Sequence, residues 1–193
     1  EGGGIVTQSP ELFQRAKNLR YCGIEKSGYE ASTEKKRWWE YRVKDPFPKM
    51  LNSDLAAAIG VAQLRRLGKL QQKRKDLWNQ ISHLIESQEW AQSWLIPPPG
   101  PTKTETHSYF TYFVRLRFGS RDQLAEYLID KGIYTSLRYH PLHHYPAYGA
   151  REALPNCDNL NDTAINLPLH PRIEKVDLDH IFTALETFRR EKT

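Results

Sequence analysis

Cysteine is nearly absent: Cys22 and Cys157 are the two thiols in 193 residues, and methionine occurs once, as Met50. So few thiols exclude a disulfide framework and point to reduced side chains in a cytoplasmic setting. Long hydrophobic runs are missing as well. No stretch approaches the ~20 apolar residues that span a bilayer, and no signal peptide is visible, so no membrane partner is expected. Several catalytic signatures are also lacking. There is no Gly-x-Ser-x-Gly elbow, no Walker motif and no recognisable Cys/His pair, and the opening glycines follow no strand that would make them a dinucleotide fingerprint. An initial methionine is wanting too: the chain opens EGGGIV, inside what reads as a glycine turn.

What is present suits a chain able to bury a core, with 39% hydrophobic and 26% charged residues. The net charge of +5 is unevenly placed, much of it in KKRWW (35–39) and RRLGKLQQKRK (65–75). Basic residues beside tryptophans can form a nucleic-acid surface. The second run, however, carries leucines at helical spacing, so its charges read as a solvated helix face and nucleic acid is not the expected partner.

Along the chain, Ile5 to Thr7 reads as a short strand. Ser9 caps a helix that carries Pro10 and Glu11 in its first turn, runs to about Arg20 and is stopped by Gly23. Residues 25–48 show no sustained period and read as a long loop. Ser53-Asp54 opens the strongest helix, in which Leu55, Ile59, Ala62, Leu67, Leu70, Leu77, Ile81 and Leu84 keep an apolar stripe. Unbroken to about Ser87, it would be roughly 50 Å long at 1.5 Å per residue, a rod suited to connecting two bodies. Pro97 to Pro101 reads as a stiff linker.

Beyond the linker lies an α/β pattern. Ser108 to Arg117 is aromatic and β-branched, as in a strand. Ser120-x-x-Gln123 is a capping box for a helix that ends at Lys131-Gly132. Ile133 to Leu137 reads as a second strand, about Asn156 to Ala164 as a short helix, and Leu167 to Pro171 as extended. A final helix from about Lys175 to Arg190 is expected to bury Val176, Ile181, Leu185 and Phe188. Strand, helix, strand and helix make a two-layer sandwich. The expected division is 1–52, the tail of a larger domain with its loop; 53–96, the long helix; and 97–193, a small α/β domain.

Two constellations could carry chemistry. RYHPLHHYPAY (138–148) offers three histidines within five residues, with His140 and His143 at a metal-compatible separation. Pro141 breaks any helix that would aim both at one ion, and no carboxylate or cysteine lies close in sequence, so no metal is expected. The loop suits a small-molecule site, because tyrosine, histidine and arginine supply ring faces and donors. A proline-fixed turn with half-exposed rings is the plainer alternative. In FPKMLNSD (47–54), Lys49, Asn52, Ser53 and the first helical amides could together hold a phosphate. On local evidence, capping alone accounts for Ser53 and Asp54.

The segments EGGGIVTQSPELFQRAKNLRYCGI and NSDLAAAIGVAQLRRLGKLQQKR resemble two conserved stretches of the DegT/StrS family of sugar aminotransferases, which depend on pyridoxal 5′-phosphate (PLP). HSYFTYFVRL, GIYTSLRYHPLHHYPAY and INLPLHPRI resemble three more, in the same order. The resemblance implies the C-terminal part of a fold type I transferase: the end of the large domain, a long connecting helix and a two-layer small domain. It implies that the Schiff-base lysine lies upstream of Glu1, that an N-terminal half is missing, and that this chain alone is inactive. It further implies a homodimer with sites at the subunit boundary, a nucleotide-linked keto-sugar as substrate and glutamate as the common amino donor.

By the same resemblance, Lys49, Asn52 and Ser53 correspond to a segment that reaches the partner subunit's cofactor phosphate. The family's asparagine position is Leu51 here, with Asn52 beside it. Arg138, Tyr139, His140 and His143 match a loop near the substrate, and His107 matches a recurring histidine at the entry to the small-domain strand. Truncation of a domain would leave apolar faces exposed along 1–20 and 53–70. A non-catalytic regulatory, assembly or nucleic-acid-binding module derived from the family is the alternative role.

Overall fold

The computed structural model describes residues 2–26, 28–33, 37, 39–40, 42–137, 139–149 and 153–192. They fall into two units, Glu1–Arg66 and Leu67–Thr193, and the division lies inside one helix.

In the first unit, α1 (Pro10–Arg20) starts as its sequence dictates: Ser9 Oγ accepts the Leu12 amide at 3.3 Å, and Glu11 sits in the positive first turn. Its end is fixed by Gly23, whose amide donates to the Asn18 carbonyl at 2.9 Å with φ of +75°. A Cβ there would lie 1.9 Å from the Asp45 carbonyl oxygen, so the turn admits glycine alone. The expected strand at 5–7 does not form. Val6 is 100% exposed, and none of these residues pairs with a described neighbour; apolar alternation makes a strand only where an edge is available. The expected loop of 25–48 also differs, because a short helix, α2 (Gly28–Thr33), interrupts it. Lys17 pairs with Glu30 at 2.9 Å, but both are exposed and the pair contributes little.

The long helix α3 (Asp54–Ser87) has the expected bounds and 34 residues. Ser53 Oγ accepts the Ala56 amide at 3.2 Å, which satisfies one of the first-turn donors. Its apolar stripe changes character along its length. Leu55, Ile59, Leu64 and Leu67 are exposed, whereas Leu77, Trp78, Ile81 and Ile85 are buried.

The second unit holds the core. After α4 (Glu89–Trp94) come β1 (Leu95–Ile96), β2 (Tyr112–Leu116), α5 (Arg121–Asp130), α6 (Pro155–Thr163), β3 (Ala164–Leu167) and α7 (Lys175–Lys192). The sheet order is β1-β2-β3, antiparallel throughout, with Leu95 opposite Leu116 and Val114 opposite Ile165. Tyr112, Val114 and Leu116 alternate into the core beside Leu124 and Leu128 of α5 and Leu178, Ile181, Phe182, Leu185 and Phe188 of α7. Trp94 anchors this core: its ring stacks on Phe188 at 6.1 Å and its indole N–H donates to the Phe118 carbonyl at 3.0 Å. Arg115, on the opposite face of β2, donates to Asn159 of α6 at 2.7 Å.

Both ends of α5 lie where expected, although among the described residues only the Ser120 half of the capping box is seen. Ser120 Oγ accepts the Gln123 amide, and at the other end the Ile133 amide reaches Leu128 O at 2.8 Å while that of Gly132 reaches Ile129 O at 2.9 Å. This is the doubled bond of a Schellman turn, with Gly132 at φ +75°. Three expectations fail. Residues 133–137 form no strand; Ser136 alone bridges to Asn166. The strand expected over 108–117 is confined to Tyr112–Leu116. Val176 is 69% exposed, because the buried stripe of α7 begins at Leu178, and two residues of helix place a side chain on roughly the opposite side.

Candidate functional site

The histidine loop folds into two 3₁₀ turns, η1 (Leu142–His144) and η2 (Pro146–Tyr148). The His144 amide donates to the Pro141 carbonyl at 3.1 Å, so the proline that forbids an α-helix sets the tighter turn. Consecutive 3₁₀ residues then bring His143 and His144 onto one carboxylate. Each places its Nε2 at 2.8 Å from Asp158 Oδ1. The rings of His143 and His144 meet edge-on with centroids 4.2 Å apart, and His140 leans on His144 at 5.3 Å and on Tyr145 at 5.2 Å. Asp158 is itself fixed in the first turn of α6, its amide donating to the Leu154 carbonyl.

Desolvation pushes the Asp158 carboxyl up. The hydrogen bond and charge of His143, then those of His144, outweigh it, and the carboxyl ends below its ordinary value. Asp158 lies 15 residues from His143, so no local sequence pattern could announce it. The sequence reading looked for a ligand-type partner within the loop and did not see the one that α6 supplies.

Of the other residues singled out, Tyr139 is exposed and Arg138 lies outside the described residues. His107 sits apart from the loop cluster. Its Nδ1 accepts the Tyr109 amide at 3.0 Å, and its ring lies 5.7 Å from that of Trp78. Tyr109 has φ of +48°, a strained value for a non-glycine residue, and the buried indole nitrogen of Trp78 has no hydrogen-bond partner among the described residues. Tyr112 joins this aromatic group at 5.2 Å from Trp78; its hydroxyl lies 2.9 Å from Ser82 Oγ. Burial pushes the Tyr112 phenol up to about 12, opposed by the Ser82 hydrogen bond and aided by the charge of Glu86.

Lys49, Asn52 and Ser53 precede the start of α3 in the first unit, with Lys49 bridged to Tyr21. All three are exposed; Ser53 is engaged in the cap, and a Cβ at Gly2 would lie 2.8 Å from Asn52 Nδ2. Ammonium, amide and hydroxyl beside a helix N-terminus form a donor set that suits a phosphate. A separate open cavity of about 630 Å³ in the second unit is lined by Arg74, Phe110, Tyr134, His170, Arg172 and His180 among others. None of its lining residues was expected as a site residue; of the six named, His170 and Arg172 lie in INLPLHPRI, while the others come from α3, the approach to β2, the turn after α5 and α7.

Solved aminotransferase structures share this fold over about half of their own length. An aminotransferase, TlmJ, from Streptoalloteichus hindustanus superposes with a TM-score of 0.78 at 30% identity, covering 93% of this chain and 45% of that one. Spr1654 of Streptococcus pneumoniae, described as a candidate sugar aminotransferase and solved in its PLP form, gives 0.77 at 25% identity over 98% of this chain and 46% of that one. Such neighbours are fold type I PLP aminotransferases. The model of the DegT/DnrJ/EryC1/StrS aminotransferase family matches residues 1–186, and the chain belongs to that family. A curated relative, the dTDP-4-dehydro-2,3,6-trideoxy-D-glucose 4-aminotransferase of Saccharopolyspora spinosa, is 35% identical over 179 residues, 92% of this chain and 46% of that enzyme. The chain thus spans about half the length of the relatives it matches.

Proposed function

We propose that this chain is the C-terminal portion of a PLP-dependent aminotransferase that moves an amino group from glutamate to a nucleotide-linked keto-sugar, working as a homodimer. The observation that carries this reading is the 35% identity, over 92% of the chain, to an enzyme whose substrate is a dTDP-linked dehydro-sugar. When bound, PLP supplies the electron sink for the transfer. Lys49, Asn52 and Ser53 contribute contacts to the cofactor phosphate, where ammonium, amide and helix dipole favour an anion. The exposed Tyr139 and His140 of the histidine loop contact the sugar nucleotide.

The group that holds the cofactor's aldehyde belongs to the remainder of the enzyme. An amine that attacks a carbonyl near neutral pH needs a pKa lowered by desolvation or by neighbouring cations. Every lysine among the described residues is exposed, and no lysine lines the 630 Å³ cavity. On this reading the described residues suit the phosphate rather than the aldehyde, and the chain alone is expected to be inactive.

The test is to incubate the chain with PLP, reduce with borohydride and weigh the product. No stoichiometric single-site adduct is expected. Co-expression with an N-terminal half completing the family length should restore both the adduct, on that half, and glutamate-dependent amination of a dTDP-keto-sugar. Amino transfer by the chain alone would contradict the division of labour, and an inert reconstituted enzyme would contradict the reading itself.

A further inference from the structure

We infer that His143, His144 and Asp158 form a binding site for one divalent transition-metal ion, of which Zn²⁺ is the representative. The three side chains offer two imidazole Nε2 atoms and one carboxylate oxygen, all within 4.8 Å of one another. A single ion in tetrahedral coordination holds such atoms about 2.0–2.2 Å from itself, which sets them roughly 3.4 Å apart. Both histidines stand 2.8 Å from the same Asp158 oxygen, so each of those contacts opens by about half an ångström, while the two Nε2 atoms, within 4.8 Å of one another, draw together by up to about 1.4 Å as the ion enters. Backbone bonds fix both sides of the gap: the Pro141–His144 turn on one and the first turn of α6 on the other.

The donor set selects the class of ion. Two neutral nitrogens and one carboxylate suit Zn²⁺, Co²⁺, Ni²⁺ or Cu²⁺, whereas Mg²⁺ and Ca²⁺ require a shell of oxygens. The His143 side chain is 8% exposed, but those of His144 and Asp158 are 40% and 31% exposed, so an ion can reach the cluster from solvent. The His140 ring lies 5.3 Å from that of His144, which puts a further imidazole near the cluster. The bound ion would replace the hydrogen bonds by which η1 is held to α6. Nothing in this site depends on the aminotransferase reading, and no catalytic role is assigned to it.

The experiment is a titration of the metal-free full chain with Zn²⁺ alone, in competition with a chromophoric chelator. One equivalent is expected to bind. His144→Gln and Asp158→Asn, both at partly exposed positions, should each weaken binding at least about tenfold, the loss that follows even when only an outer partner of a ligand is removed. His83→Ala, at an exposed histidine on α3, should leave the titration unchanged. Circular dichroism verifies that each variant is folded. With Co²⁺ as the probe, visible bands of four-coordinate intensity should appear in the unaltered chain and vanish in Asp158→Asn. Absence of a stoichiometric Zn²⁺ equivalent, or equal affinity in the unaltered chain and both ligand variants, would overturn the assignment.

Discussion

Residues 2–66 and 67–192 differ in where their apolar side chains go. In the first stretch, Gly23 alone is buried among the described residues, while Ile5, Val6, Leu12, Phe13, Leu55, Ile59 and Leu64 are all exposed. In the second, side chains from α3, α4, β1, β2, α5, β3 and α7 close one continuous core. A helix as amphipathic as α3 derives most of its stability from packing its apolar face, and only its C-terminal half has something to pack against. The comparison teaches that amphipathic pattern and burial are separate facts. The pattern in 53–70 is as regular as that in 77–85, and what it lacks is a partner. An apolar surface of this kind fits a polypeptide that completes the domain, in keeping with the half-length match to its relatives.

The contrast can be broken most forcefully at Trp94. Trp94→Ala removes a fully buried ring and the donor to Phe118, and should cost about 3–5 kcal/mol in urea unfolding followed by near-ultraviolet circular dichroism. Unaltered stability would mean that 67–193 has no true core. A smaller effect is expected at Ser120→Ala, which deletes the cap of α5 and should cost about 1 kcal/mol. Tyr112→Phe should cost a similar ~1 kcal/mol through the lost contact with Ser82.

That last variant also carries a pH signature. Folding raises the Tyr112 pKa from 10.0 to about 12, so the folded state keeps its proton more tightly than the unfolded chain. The corresponding stability is complete below pH 10 and drains away as the pH rises toward about 12. Tyr112→Phe should flatten this part of the stability–pH curve, and an identical slope in both proteins would contradict the assignment. The smallest effect belongs to the first region. Leu64→Ser should change unfolding free energy by less than ~0.5 kcal/mol while reducing self-association in sedimentation velocity.

Much of the fold was legible because its signals are local. Ser53-Asp54 and an unbroken period gave α3 its limits, and Ser120, Gln123 and Gly132 marked both ends of α5. The misses share a different cause. β1 is two residues long and exists only because Leu95 and Ile96 find Leu116 and Arg115, so from sequence it falls at the end of the stretch assigned to the long helix, 53–96. Residues 133–137 have strand-like composition but a single pairing, at Ser136. Val176 stands off the stripe that Leu178, Ile181, Phe182 and Leu185 define, since five helical residues turn its side chain roughly 140° from that of Ile181. In the candidate site, the histidine loop stands out by its residue types. Its partner was not, since the juxtaposition of Asp158 with His143 and His144 is made by tertiary structure.

Hydrogen exchange resolved along the chain by mass spectrometry tests the contrast between the two regions most directly. Amides of β2, α7 and the 77–85 stretch of α3 should exchange only through global opening, while those of α1 and of 54–66 should exchange orders of magnitude faster. Equal, strong protection of 54–66 and 77–85 in the monomeric chain would contradict the claim that the first region lacks a packing partner.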